Sequence, residues 1–226
     1  MGRQGKMNSL LKVYLLLVSI FLTVYSHAQE KTSEEPVAQK PPIPVEVFAG
    51  HRAFSYQHII SRDVFNDKFN FFNISAFDAE YGSNPQNEFV ISSFFSYKLS
   101  KRLSAGIIGQ MIPKGSSIFI GAKYNLIKKD FFLVVFPSYR ITKDQVFSQF
   151  MLMEYRPRIN DKINAYLRTQ LLLETDAEEL TRGIQQFRLG LEIQQSQFGL
   201  AANFDQFTGD KSSTTNFGAF YRLLIF

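Results

Sequence analysis

The stretch Asn216-Phe-Gly-Ala-Phe-Tyr-Arg-Leu-Leu-Ile-Phe226 decides how the rest of the chain is interpreted. It is apolar and aromatic, and it ends on a phenylalanine. In a soluble protein such a strand would be an exposed sheet edge, and natural proteins shorten, charge or cover such edges. In lipid the strand is favourable if it closes a barrel, because closure gives every backbone N–H and C=O group a partner without water. We therefore expect it to be the closing strand of a transmembrane β-barrel.

The N-terminal segment has the three parts of a secretory signal peptide. Basic residues come first, an apolar run follows over 13–25, and Ser26-His-Ala28 offers a small-residue cleavage site. The apolar run is shorter than the about 20 residues that a membrane-spanning helix needs. We expect residues 1–28 to be a cleaved signal peptide and the mature chain to be exported.

Two segments separate this signal from the regular part of the chain. Residues 29–44 are rich in proline and charge and poor in apolar residues, which predicts a disordered, proline-rich periplasmic tether. Residues 45–68 contain two extended-looking stretches, Val45–Gly50 and Phe54–Ile60, and both are short for a spanning strand. Three interpretations of 45–68 stay open: an extra hairpin of the barrel, a plug in its lumen, or a periplasmic segment.

From residue 69 onward the chain alternates between apolar and polar residues with the period of a β-strand. In Ile163–Leu173 the odd positions carry only Ile, Ala, Leu and Thr, whereas the even positions carry Asn, Tyr, Arg and Gln before a final Leu. Such segments are long enough for tilted transmembrane strands, which need about 9–11 residues. We predict an all-β fold, a closed antiparallel up-and-down transmembrane β-barrel over 69–226, with about ten strands or alternatively twelve. The ten are Phe69–Tyr81, Glu88–Leu99, Arg102–Ile112, Ser117–Leu126, Phe131–Thr142, Ser148–Arg158, Lys162–Glu174, Gln185–Gln194, Phe198–Phe207 and Asn216–Phe226.

The connections between these segments alternate between tight and longer ones. Leu99–Arg102 and Asn160–Asp161 are tight, whereas Gly82–Asn87 and Thr175–Gly183 are longer. Outer-membrane barrels have short periplasmic turns and longer external loops. An even number of strands then puts both ends of the barrel chain in the periplasm, beside the tether.

These features together resemble the small outer-membrane β-barrel proteins of Bacteroidota-type bacteria. The resemblance rests on the signal, the proline-rich lead-in, strands rich in Phe and Tyr, tight charged turns and the closing Phe220-Tyr-Arg-Leu-Leu-Ile-Phe226. The terminal aromatic residue is similar to the signal that the barrel-assembly machinery reads. Arg222 departs from the strictly alternating form of that signal, because it has the parity of Phe226. Either the strand bulges near its end or Phe226 faces the lumen. The resemblance implies no particular activity.

The composition excludes several classes of function. The 226 residues include no cysteine, so neither a disulfide frame nor a lipoprotein anchor is possible. The net charge of +5 is spread along the chain without a basic tract, and we expect no nucleic-acid binding. The chain has no pattern of metal ligands and no glycine-rich phosphate loop, so we expect neither a metal nor a cofactor.

Catalysis would need a general base, and the mature chain offers only His51 and His58. His58-Ile-Ile-Ser61 superficially resembles the His-x-Ser stretch of outer-membrane lipid hydrolases. The spacing is wrong, however, because His58 and Ser61 would point to opposite faces of a strand. We therefore expect no catalytic residue and no enzyme activity.

The alternation assigns a set of charged residues to the lumen. A barrel of about ten strands has little free cross-section, because about eight strands already fill with side chains and aqueous channels need about sixteen. Carboxylates beside arginines also avoid leaving desolvated charges unpaired. We therefore expect a plug of interlocking ion pairs rather than a charged pore or a polar ligand site. The predicted cluster consists of Glu88, Lys98, Lys123, Arg140, Glu154, Arg156, Arg168, Arg188, Glu192, Asp205 and Arg222, with Asp78 and Glu80 on the same face.

A plugged barrel without a catalytic site indicates a structural or accessory component of the outer membrane. Its expected partners are outer-membrane lipid, the barrel-assembly machinery during insertion and, through the tether 29–44, a periplasmic or outer-membrane protein. Three alternatives stay open: a narrow channel for small solutes or ions, a lipid-active outer-membrane enzyme, and a soluble periplasmic β-carrier.

Overall fold

The structure is a computed structural model that describes most of the chain from residue 41 onward. The predicted signal peptide and residues 29–40 of the predicted tether lie outside the described residues. The described ranges are 41–65, 67–85, 87–142, 145–176, 180–207 and 213–226.

Twelve β-strands make up the described chain. They are β1 Ile43–Gly50, β2 Ala53–Val64, β3 Phe69–Glu80, β4 Glu88–Lys98, β5 Leu103–Ile112, β6 Gly115–Ile127, β7 Phe131–Arg140, β8 Phe147–Tyr155, β9 Ile163–Thr175, β10 Leu180–Ile193, β11 Ser196–Phe207 and β12 Thr214–Ile225. Each strand pairs antiparallel with the next along the chain, and β1 pairs with β12 to close the barrel. The predicted all-β, closed, up-and-down barrel is confirmed. The preferred count of ten strands is wrong, and the alternative of twelve is correct.

The two additional strands come from the segment 45–68. β1 is short but pairs with β12 along its whole length, and β2 pairs with both β1 and β3. The sequence obscured β2 because polar His58 interrupts its outward face between the apolar residues Phe54 and Ile60. β1 also begins at Ile43, so the last residues of the predicted tether 29–44 belong to the barrel wall.

The barrel has two ends that differ in their connections. The terminal end contains Ile43, Ile225 and the turns that follow the even-numbered strands. The loop end contains the connections that follow the odd-numbered strands. At the loop end, β10 begins at Leu180, so the predicted loop Thr175–Gly183 is too long: its last part is a paired strand.

The closing strand β12 alternates without a bulge. Its pairing with both β1 and β11 is in constant register. Arg222 and Leu224 point into the lumen, whereas Tyr221 and Ile225 point outward. The strand ends at Ile225, and Phe226 lies beyond it and is 72 % exposed. Neither a bulge nor a lumenal Phe226 is observed.

The side of the lumen formed by β2–β8 is apolar. Buried side chains from these strands pack together, and the ring centroids of Phe94 and Phe136 are 4.3 Å apart. Aromatic residues therefore fill part of the lumen as well as the outer face, because neighbours such as Phe94 and Phe95 point to opposite sides. The apolar cluster consists of Ile59, Phe72, Phe94, Ile108, Phe119, Val134, Phe136 and Leu152.

Glycine is required where β1 meets β12. A Cβ atom on Gly218 would lie 2.0 Å from the carbonyl oxygen of Ala49, which is backbone and cannot move aside. A Cβ atom on Gly109 of β5, by contrast, would meet no heavy atom within 4 Å. The same close approach to a backbone oxygen occurs at Gly106 on β5 and at Gly190 and Gly199 on β10 and β11, so the closing pair of strands shares it with other strand pairs.

We expect Gly218→Ala to destabilise the barrel by about 1–3 kcal/mol, the usual cost of forcing extra volume into packed space. Gly109→Ala is the matched control and should leave stability unchanged. The measurement is the temperature at which unboiled protein loses its folded migration in SDS gels. The same temperature for both variants would show that the closing pair of strands tolerates a side chain.

Candidate functional site in the lumen

A buried ion-pair network occupies the side of the lumen formed by β1 and β8–β12. At its centre the carboxylate of Glu46 on β1 accepts hydrogen bonds from two arginines. Arg168 on β9 lies 2.6 Å from Oε2, and Arg188 on β10 lies 2.8 Å from Oε1. The three residues are only 3 %, 2 % and 4 % exposed, respectively. One carboxylate thus links the first strand to two strands that are distant in the sequence.

A second carboxylate extends this network. Glu154 on β8 lies 2.7 Å from Arg222 on β12. The same guanidinium group donates to the Tyr166 hydroxyl and, at 3.1 Å, to the side-chain oxygen of Gln197. We call the set of five charged residues the ionic core: Glu46, Glu154, Arg168, Arg188 and Arg222.

Amide side chains carry the network across the lumen. Arg168 donates to Oε1 of Gln170 on the same strand. Gln170 in turn exchanges hydrogen bonds of 3.2 and 3.4 Å with Gln57 on β2. Because β2 and β9 lie nearly opposite each other in the ring of strands, these contacts bridge the lumen.

Aromatic rings cover the guanidinium groups of the ionic core. Cζ of Arg188 lies 5.0 Å from the ring centroid of Phe48, and Cζ of Arg222 lies 5.5 Å from that of Tyr166. Taking charges out of water is costly unless each is paired and hydrogen-bonded. Every charge of the ionic core has an opposite charge at hydrogen-bond distance, and its three arginines and two glutamates leave a net charge of +1.

A second bridge crosses the lumen towards the loop end. Arg182 on β10 lies 2.6 Å from Glu88 on β4 and 3.0 Å from Asp205 on β11. β4 and β10 are diametrically opposite in the ring of twelve strands, so the contact with Glu88 spans the barrel. Arg52, in the turn after β1, pairs with Glu80 on β3. These ion pairs are more exposed to solvent than those of the ionic core, and they lie closer to the loop end of the barrel.

A cavity of about 150 Å³ is lined by side chains of both layers. Glu46, Gln170 and Arg188 contribute from the ionic core and its amides, and Glu88 and Arg182 contribute from the bridge. Pockets for organic ligands usually measure about 300–1,000 Å³, whereas one water molecule takes about 30 Å³ of liquid. The cavity is therefore smaller than a typical pocket for a drug-sized ligand.

Two lysines lie towards the terminal end on the apolar side. Lys123 on β6 is 1 % exposed, donates to Oδ1 of Asn70, and has its Nζ 5.1 Å from the ring centroid of Phe72. Lys98 on β4 pairs with Asp63 on β2 at 2.6 Å. Both lysines tie together inner side chains of strands that are not adjacent in the sheet.

The charged residues that the sequence assigned to the lumen lie on the inner side of the barrel, but they do not form one cluster. Some belong to the ionic core, and Arg156 and Glu192, 3.7 Å apart, lie near its terminal-end side. Others lie at the ends of the barrel. The ionic core contains Glu154, Arg168, Arg188 and Arg222; the terminal end has Lys98 and Lys123; the loop end has Asp78, Glu80, Glu88, Arg140 and Asp205.

Sequence reasoning missed two residues that organise these groups. Glu46 was missed because it lies in 45–68, the segment whose placement was left open. The alternation of Val45-Glu-Val-Phe48 was the signal that could have found it. Arg182 was missed because it fell in the predicted loop Thr175–Gly183.

The two histidines of the described residues lie away from the ionic core. Nδ1 of His51, in the turn after β1, accepts a 3.0 Å hydrogen bond from the amide of Phe217, and the two rings stack. His58 lies on the outer face of β2, with Nδ1 3.2 Å from the Tyr56 hydroxyl. Ser61 lies on the inner face of the same strand. His58 and Ser61 therefore cannot act on one substrate atom.

Two kinds of feature are absent from the described part of the chain. No three His, Cys, Asp or Glu side chains are grouped closely enough there to hold a metal ion. No helix there is long and apolar enough to span a membrane.

The fold is similar to that of solved outer-membrane proteins. The NanC porin structure aligns with a TM-score of 0.52 and 12 % identity, covering 82 % of this chain and 100 % of the porin chain. The KdgM porin in complex with disordered oligogalacturonate gives 0.47 and 9 %, covering 80 % and 97 %. LpxR from Salmonella typhimurium gives 0.42 and 7 %, covering 81 % and 99 %. No protein-family model and no curated protein matches the sequence. At these identities the similarity defines the fold, which is that of outer-membrane β-barrels.

We expect Glu46→Ala to destabilise the folded barrel by about 3–5 kcal/mol, because removing one partner leaves buried guanidinium groups uncompensated. The exposed pair Arg158–Asp161, with side chains 60 % and 90 % exposed, provides the control. Arg158→Ala should cost at most about 1 kcal/mol. The stability of both variants is measured by urea titration of the protein in lipid vesicles, with tyrosine fluorescence as the signal for unfolding. Equal midpoints would mean that Glu46 does not hold the network together.

Proposed function

We propose that the chain is a non-enzymatic outer-membrane β-barrel whose lumen is closed at rest, and that it serves as a structural or accessory component of that membrane. The barrel fold and its apolar outer face support the location. The observation that carries the proposal is the ionic core, which holds paired charges inside the lumen at almost no exposure.

The two-layer arrangement supports closure. The ionic core and its Gln170–Gln57 bridge form one layer, and the Arg182–Glu88 bridge forms a second towards the loop end. The apolar cluster fills the other side of the lumen. A solute would have to separate side chains in both layers, and the cavity of about 150 Å³ that both layers line is smaller than the usual pocket for an organic ligand.

The absence of enzyme activity is supported by the positions of the polar groups. The charges of the ionic core are held in ion pairs with one another, and no histidine is among its five residues. The outer-membrane lipid, the barrel-assembly machinery and a protein partner of the proline-rich tether are the partners that this role implies. Deleting 29–40 and comparing the proteins that co-purify would test the last of these.

A narrow channel is the second candidate, and one observation favours it. In the described residues the groups proposed to close the lumen are side chains of the wall itself, and such side chains can rotate without unfolding a strand. Because the cavity lies between the two layers, opening either layer would lengthen a water-filled path. A ligand or voltage that separates Arg182 from Glu88 would then open the loop-end half.

Single-channel recording in planar bilayers tests the closed resting state. We expect the wild-type protein to show no steady conductance. The double variant Glu154→Ala, Arg222→Ala removes both partners of one pair, so no unpaired charge remains and discrete openings should appear. The matched control Arg158→Ala, Asp161→Ala removes an exposed pair and should stay closed.

Steady wild-type conductance equal to that of the lumen variant would contradict closure and favour the channel. A folded-migration assay in SDS gels confirms beforehand that each variant forms a barrel.

A further inference from the structure

The outer face of the barrel carries a polar patch that the lumen does not explain. The alternation of β2, β3 and β4 turns five polar side chains outward next to one another. His58 is directly opposite Ser75 in the pairing of β2 with β3, and Asn73 is directly opposite Ser93 in the pairing of β3 with β4. We call this set the polar patch: Tyr56, His58, Asn73, Ser75 and Ser93.

Hydrogen bonds connect the members of the polar patch. Ser75 donates to Oδ1 of Asn73 at 3.1 Å, and Nδ2 of Asn73 donates to Oγ of Ser93 at 3.0 Å and to the Ser92 carbonyl at 3.2 Å. The Tyr56 hydroxyl lies 3.2 Å from Nδ1 of His58. In the described part of the chain, Nε2 of His58 makes no hydrogen bond. Asn73 is 7 % exposed and hydrogen-bonded within the wall, so the unused capacity of the patch that points outward is at Nε2 of His58.

The polar patch lies at mid-depth of the outer face. Towards the loop end it is followed by the outward rings of Phe77 and Phe89, which are paired across β3 and β4. Towards the terminal end it is followed by Phe71 and Phe95, which are also paired. Aromatic residues flank the apolar band of transmembrane barrels at both interfaces. The patch therefore faces the region where lipid is hydrocarbon.

Polar groups at this depth are unfavourable against acyl chains, which offer neither donor nor acceptor. Single polar residues elsewhere on the outer face do not form such a group. Gln149 on β8 has Pro137 and Leu173 as its cross-strand neighbours, and Thr169 on β9 has Met153 and Phe187. The connected patch on β2–β4 is thus a feature that a purely lipid-facing wall would not need.

We propose that the polar patch is the contact surface for a second copy of this chain, forming a two-fold dimer within the membrane. A two-fold axis along the membrane normal would bring the same patch of each copy face to face. Every copy inserts to the same depth, so the polar patch of a second copy lies at the same depth in the membrane as the polar patch of the first. Ser and His side chains can both donate and accept, which makes the patch complementary to itself.

The surface beside the patch also suits close approach. Gly109 on β5 is directly opposite Ser93, and no heavy atom lies within 4 Å of where its Cβ would be. Small residues let membrane-embedded backbones approach each other and let polar side chains meet. The recess at Gly109 therefore extends the contact surface from the patch along the wall.

A catalytic role for the patch fits the geometry less well. The Ser75 hydroxyl donates to Asn73 rather than to His58, so the nucleophile and base are not coupled. The patch also lies between the two aromatic bands, away from the headgroup level where lipid ester bonds lie. The dimer proposal rests on the proposed membrane location but not on whether the lumen is closed.

Site-directed crosslinking tests the dimer in lipid vesicles. The chain has no cysteine, so a single introduced cysteine reports one position. Ile91→Cys is placed beside Ser75 and leaves the hydrogen bonds of the patch intact. Leu167→Cys on β9 is the matched control, because the two native side chains are 39 % and 40 % exposed on nearly opposite walls. A short bis-maleimide should give a dimer band with Ile91→Cys and none with Leu167→Cys.

A second variant links this result to the polar groups. Asn73→Leu in the Ile91→Cys background removes the side chain that joins Ser75 and Ser93, and the dimer band should be lost. Folded migration in SDS gels shows that the barrel is intact in each variant, so failure of the membrane barrel is distinguishable from failure of the dimer.

Equal crosslinking at the two cysteine positions, or none at Ile91→Cys in a folded barrel, would overturn the proposal. So would crosslinking that persists in the Asn73→Leu variant. Release of fatty acid from phospholipid vesicles that is abolished by His58→Ala would instead assign the patch to lipid chemistry.

Discussion

Closure of the sheet between β1 and β12 is the constraint on which the rest of the structure depends. It satisfies the backbone groups that would otherwise face hydrocarbon, and it does so with the shortest strand of the barrel. The same pairing sets Glu46 directly beside Arg222. The pairing of β1 with β12 therefore closes the sheet, and it also places the carboxylate of Glu46 beside the arginines of the lumen. Gly218 allows the close backbone approach that this requires.

The lumen is organised by charge on one side and by aromatic packing on the other. Buried ion pairs add little net stability compared with apolar residues of similar size, but they are costly to break singly. An ionic core of this kind is therefore better suited to specifying which strands meet than to adding stability. The apolar cluster supplies the close packing that the ion pairs do not. A twelve-stranded barrel, wider than the predicted ten, is filled by this combination.

The outer and inner faces follow opposite rules, and each carries an exception. The inner face, expected to be polar, holds the apolar cluster, while the outer face, expected to be apolar, holds the polar patch. Both exceptions lie on overlapping strands, from β2 to β4. At mid-depth of the outer wall Asn73 is 7 % exposed and hydrogen-bonded within the wall, whereas Nε2 of His58 has a clear physical use only if something other than acyl chains covers it. The proposed dimer and the proposed closure of the lumen thus concern different faces of the same strands.

The alternation in the sequence by itself determined the all-β class, ten of the twelve strands and the inward face of the charged residues, because period two assigns faces locally. It could not determine the role of 45–68, since a strand as short as β1 is recognised by its partner, which lies at the other end of the chain. Nor could it tell which of Phe94 and Phe95 faces the lumen and which faces lipid, because both residues are aromatic. Only the tertiary structure decided which inner residues meet, as Arg182 does with Glu88. Contacts across the lumen depend on strand number and register, and no local pattern contains either quantity.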